Sequence, residues 1–156
     1  IQTIQNIRGN NIMAKLTLSI AQKILDGAIA KAGELGLMPL TIAVLDDGGH
    51  LKAFIRQDGP GAALRPPIAI GKAWGSVGMG ISSRILEKMA LERPHFMAGA
   101  IAASEGRMVP VAGGVLIRDG SGEIIGAVGI SGDSSDNDEA SAIAGIEAAG
   151  FTTNTK

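Results

Sequence analysis

Two short acidic-glycine runs, Asp46-Asp47-Gly48-Gly49 and Asp119-Gly120-Ser121-Gly122, each interrupt a stretch of aliphatic and β-branched residues. They restrict the fold more than any other feature. Asp and Gly accept the positive φ angles of a tight reversal, so each run predicts a hairpin of two adjacent antiparallel strands. The first hairpin joins Leu40-Thr41-Ile42-Ala43-Val44-Leu45 to a strand from His50 to Arg56. The second joins Val115-Leu116-Ile117-Arg118 to a return strand over 123–131. Helical patterns fill the rest. Ile20, Ile24, Ala28 and Leu35 recur at helical spacing over Leu18 to Leu37, with Thr17 or Ser19 as cap and Gly36 as stop. Pro66/Pro67 opens a helix to about Val77, Ser82 or Ser83 caps one through Leu91, and Pro94 starts another ending near Ser104. A last helix runs from Ser135 to Ala149, with Ser135 and Asp138 as a capping pair. Helices before, between and after two hairpins predict one α/β sandwich of the α+β type.

At 156 residues the chain suits a single domain, placed at 13–151 with a short tail over 152–156. Residues 1–12 read as an added leader or a processed extension, since Met13-Ala14-Lys15 resembles a start. Hydrophobic residues make up 46%, yet aromatic bulk is limited to one Trp and three Phe, so the core is aliphatic. Small domains bury a modest share of their surface alone, which makes a homo-oligomer the expectation. A net charge of -1 without a basic patch argues against nucleic acid. The absence of cysteine excludes disulfides, thiolate catalysis and cysteine-held metals. No apolar run is long enough for a membrane span. The expected setting is cytoplasmic and the expected partner a small molecule.

The same residues carry a resemblance. Asp46-Asp47-Gly48-Gly49-His50-Leu51 with Arg56-Gln57-Asp58-Gly59, the pair Lys72-Ala73, Val111-Ala112-Gly113-Gly114-Val115, and Ile125-Gly126-Ala127-Val128-Gly129-Ile130-Ser131-Gly132 followed by Asp136 and Asp138-Glu139 occur in order. Together they resemble the GlcG-like, haem-binding-protein family, whose domain also forms the C-terminal part of PduO-type corrinoid adenosyltransferases. The resemblance covers roughly residues 16–150. It implies a profilin-like α-β-α sandwich with a five-stranded antiparallel sheet, assembled as dimers or rings. Some members bind haem, and others sit among genes for glycolate, diol or aromatic breakdown. Haem-binding members are expected to place a histidine ligand in the first helix, where Leu18 to Leu37 has none.

His50, at the hairpin exit, is a candidate haem or metal ligand and a candidate proton carrier. Strict alternation places it with Lys52, Phe54 and Arg56 on one face, and Leu51, Ala53 and Ile55 on the other. That basic face suits a propionate or another small carboxylate. His95 is the second candidate metal ligand, with Met97 or Met108 as a partner on haem. Lys72, in the apolar run Ile68 to Trp74, is a candidate base or anion clamp. Trp74 is a candidate pocket wall. Gly113, Gly114 and Ser131 are candidate cofactor-binding positions, because glycine amides allow close approach and form anion nests. The acidic residues Asp133, Asp136, Asp138 and Glu139 favour the start of the last helix and could hold a cation weakly.

Two readings follow. One is a small-ligand-binding protein holding haem or another planar anionic cofactor through His50, with Lys72, Trp74 and the glycine segments around it. The other is a cofactor-free isomerase, tautomerase or lyase for an oxo- or hydroxy-acid or an aromatic intermediate. There His50 or Lys72 moves a proton and Arg56 holds a carboxylate.

Overall fold

The computed structural model describes residues 15–153. The leader expected over 1–12 therefore lies outside the described residues. Helix α1 spans Leu18–Leu35, and Thr17 caps it by accepting the Ile20 N–H at 3.2 Å. Gly36 ends it in the left-handed region at φ 64. Four strands follow in chain order: β1 (Thr41–Asp46), β2 (Leu51–Arg56), β3 (Gly114–Arg118) and β4 (Ile124–Ser131). They form one antiparallel sheet in the order β2-β1-β4-β3, so the two hairpins join through β1 and β4.

The sheet has four strands among the described residues, which corrects the expectation of five. After α5 (Ser135–Ala148) the chain does return to the outer edge of β3, but only at Thr152. Arg118 and Thr152 exchange two backbone hydrogen bonds of 3.0 and 3.1 Å, a bridge of one residue pair.

Each face of the sheet is covered differently. α1 and α5 pack against each other and bury Ile42, Val44, Val115, Ile117, Val128 and Ile130. On the opposite face α2 (Arg65–Met79) lies over Ala43, Leu45, Leu116, Ala127 and Gly129. The helix comes very close. A Cβ at Gly129 would stand 1.9 Å from the Ala69 carbonyl oxygen, so only glycine lets α2 settle there. Beside it, α3 (Ser83–Glu92) and α4 (Pro94–Ala103) enclose a smaller cluster of Leu86, Met97 and Met108.

Helix α2 leaves the edge strand β2 uncovered on that face. The pairing of β1 with β2 shifts between Val44 and Leu45: Ala53 faces Val44 but Leu51 faces Leu45, and Lys52 is the extra residue. The bulge breaks the alternation expected from sequence. Leu51 joins the side of Leu45 and Phe54 and is 52% exposed, while Ala53 and Ile55 pack on the α1 side.

Candidate functional site

Asp46 organises the tip of the first hairpin. One of its oxygens, Oδ1, accepts the N–H groups of Gly48 at 3.0 Å and His50 at 2.9 Å. The same oxygen lies 3.2 Å from Nδ1 of the His50 ring. Burial opposes ionisation of Asp46, but the His50 and Gly48 N–H groups and the adjacent imidazole outweigh it. The carboxyl is held below its usual range. An ionised oxygen facing Nδ1 favours a proton on that nitrogen, which leaves Nε2 as the lone-pair atom. The His50 side chain is 82% exposed, so that atom sits on an open ring. Trp74 lies directly beneath the turn. A Cβ at Gly49 would be 3.0 Å from its Nε1, and the Arg107 guanidinium stacks 4.3 Å from its ring centre.

His95 is exposed at the start of α4. Met97 and Met108 are sealed in the cluster around Leu86, which removes both as haem partners for it. Among the described residues no three His, Asp, Glu or Cys side chains converge as a metal site.

Lys72 has a different setting. Its Nζ donates to the Ile130 carbonyl at 2.8 Å and to Asp138 Oδ2 at 3.1 Å, deep between α2, β4 and α5. Gly113 and Gly114 fit around this lysine. A Cβ at Gly113 would come 2.8 Å from Nζ, and one at Gly114 would come 2.4 Å from the Lys72 carbonyl oxygen. Their lack of side chains thus serves packing around an internal ion pair. Burial pushes the Asp138 carboxyl up, against the pull of Lys72 and the Asp133 N–H. Because Asp138 turns inward, the cap of α5 is one residue earlier than expected: Ser134 accepts the Asn137 N–H. Asp136 and Glu139 are answered by Arg84, whose Nε reaches both Glu139 oxygens at 2.8 and 2.9 Å.

The register shows how far these centres stand apart. His50 closes the hairpin at Asp46, opposite Gly126, whereas Lys72 meets Ile130, opposite Ile42. Four residues of strand separate the two rows, roughly 13 Å. Arg56 lies one row further still, opposite Thr41. Trp74 comes to the turn that carries His50; Lys72, Arg56, Gly113, Gly114 and Ser131 do not. His50 and Arg56 therefore stand at opposite ends of the strands, while Lys72 and Arg56 lie on adjacent rows.

A cleft of about 360 Å³ lies at the Arg56 end of the sheet, between the start of α2, the loops at 38–39 and 60–61, and Ser131-Gly132-Asp133. Arg65 lines it and is only 7% exposed. Its two terminal nitrogens donate to the carbonyls of Pro39 and Gly59, and Nε has no partner among the described residues. The ion pairs of the described residues do not include it. Sequence reasoning reached Ser131 but missed Arg65, because an arginine before Pro66-Pro67 reads as an ordinary helix start.

Residues 16–147 match the model of a family described as haem degrading protein HbpS-like. Among solved structures, a PduOC:haem complex shares 26% identity, covers 91% of this chain and 100% of its own, and superposes with a TM-score of 0.78. A double mutant of Streptomyces reticuli HbpS shares 25% identity, with 94% and 97% covered and a TM-score of 0.70. The Klebsiella pneumoniae protein ORFY, at 21% identity, 95% and 98% coverage and a TM-score of 0.78, is similar in fold. No curated protein matches the chain.

Proposed function

The chain belongs to the HbpS-like family, described as haem degrading proteins, and from that premise we propose that it binds haem through His50. The single observation carrying this reading is the Asp46–His50 contact of 3.2 Å. A carboxylate on one imidazole nitrogen fixes the tautomer and ring direction and raises the basicity of the other, which is how metal-bound histidines are held. Haem held there would supply the redox chemistry, with Nε2 of His50 as the nitrogen offered to its iron.

The residues beside the turn fit a large planar anion. Leu51 and Phe54 present exposed carbon on one face of β2, and Lys52 adds a cation next to the turn. The 26% identical PduOC protein, solved with haem, supports the same class of ligand. Helix α4 supports assembly of copies as a homo-oligomer: it is apolar along its length, yet only Met97 is buried.

The deciding experiment is a haemin titration followed in the Soret region. A saturable, shifted band is expected for the parent and for His95→Ala, and its loss for His50→Ala. A spectrum of free haemin throughout, or a band lost only in His95→Ala, rejects the assignment.

A further inference from the structure

Arg65 opens α2 from a position nearly withdrawn from water. A guanidinium stays charged at any accessible pH, and a charge removed from solvent is costly unless an anion answers it. Here the answering groups are two neutral carbonyls, which accept hydrogen bonds without cancelling the charge. Each terminal nitrogen of Arg65 carries a second N–H beyond the one given to its carbonyl, and the side chain forms part of the cleft wall.

The rest of the cleft sets the kind of anion. Met38, Pro39, Leu64 and Ile68 give it apolar walls. Its volume, about 360 Å³, falls at the small end of ligand pockets and suits a single ring or short branched chain. Asp133, which also lines the cleft, is already saturated: Oδ2 accepts the Met38 N–H, and Oδ1 accepts the Ser134 N–H and the Asn137 amide. Its ionised carboxylate repels negative charge, so a ligand whose single charge is taken by Arg65 is favoured over a dianion.

We infer that this cleft binds a small monocarboxylic acid with an apolar body, its carboxylate on Arg65 and its body against Leu64, Ile68 and Met38. The site lies at the end of the sheet opposite His50 and stands independently of haem binding.

Benzoate and benzamide share a ring and differ in charge, which makes them the probes. In amide-resolved NMR, benzoate is expected to shift the Gly61, Ile68 and Gly132 resonances saturably, with benzamide at least about tenfold weaker. Arg65→Lys should weaken benzoate by at least about tenfold, because the lysine ammonium cannot reproduce the fork. Leu64→Glu places a negative charge at the mouth from a side chain that is 69% exposed, so it tests the same point if Arg65→Lys fails to fold. His50→Ala should leave the benzoate shifts unchanged while abolishing the haem band, which separates the two sites. Absent benzoate shifts, equal shifts with benzamide, or undiminished binding in Leu64→Glu overturns the inference.

Discussion

Lys72 and Asp138 meet 3.1 Å apart with side chains only 3% and 2% exposed, and so join the middle of α2 to the first turn of α5 beside the interior strand β4. Removing either partner leaves the other charge buried and unanswered. Lys72→Met should lower unfolding stability by about 3–5 kcal/mol, and the double variant Lys72→Met, Asp138→Leu should recover a large part of that loss. Urea denaturation of both variants checks this. A double variant no more stable than the single one would show that the pair is worth more than the packing that replaces it.

Asp133 provides a pH test with a definite sign. The Asn137 side chain and the Met38 and Ser134 N–H groups hold its carboxyl below the usual range. Stability from these contacts is complete above the unfolded value of about 3.9 and is lost as pH falls through the lower folded value. Asp138 acts in the opposite sense, since burial raises it. Its contribution is present at low pH and is lost as pH rises through the raised folded value. The stability gap between the parent and Asp133→Asn should therefore narrow as pH drops below about 4. Urea midpoints across that range read it directly, and a constant gap contradicts the assignment.

The glycines divide into two groups by what a methyl would meet. Gly129→Ala drives a Cβ into the Ala69 carbonyl and the Ala73 nitrogen and should cost about 3 kcal/mol or prevent folding. Gly33, inside α1, has nothing within 4 Å of an added Cβ. Gly33→Ala should instead stabilise by about 0.5–1 kcal/mol. Thermal unfolding of the two variants should move in opposite directions.

If Asp46 holds the His50 ring for iron, Asp46→Asn should weaken haem by about 10–100-fold, and His50→Ala should remove the shifted band altogether. Soret titrations of both variants distinguish an orienting carboxylate from one that only shapes the turn. In the latter case the Asp46→Asn variant, its turn intact, would bind haem as the parent does.

Local chemistry was readable where local chemistry decides the structure. The Asp-Gly runs produced both hairpins, Gly36 ended α1, and Pro66 and Pro94 fell at helix starts. Reading failed where the answer depended on distant partners. Lys72 stood out as a cation in an apolar helix, but Asp138 is 66 residues away and looked like a helix cap. Arg65 gave no signal because its burial depends on Pro39, 26 residues earlier, closing over it. The bulge at Lys52 turned Leu51 outward, since strict alternation contains no term for an extra residue. The fifth strand came from resemblance, and here the chain reaches that position with Thr152 alone.

That solitary pairing has a use of its own. At one end of β3, Thr152 occupies the outward N–H and C=O of Arg118; at the other, the Ser83 hydroxyl takes the N–H of Gly114 at 2.6 Å and donates to its C=O at 3.2 Å. The opposite margin, β2, carries the bulged Lys52 and ends in Arg56. A foreign strand seeking a ladder to extend thus meets occupied groups on one side and a kinked, cationic border on the other. Both rims carry features that discourage edge-to-edge pairing of strands.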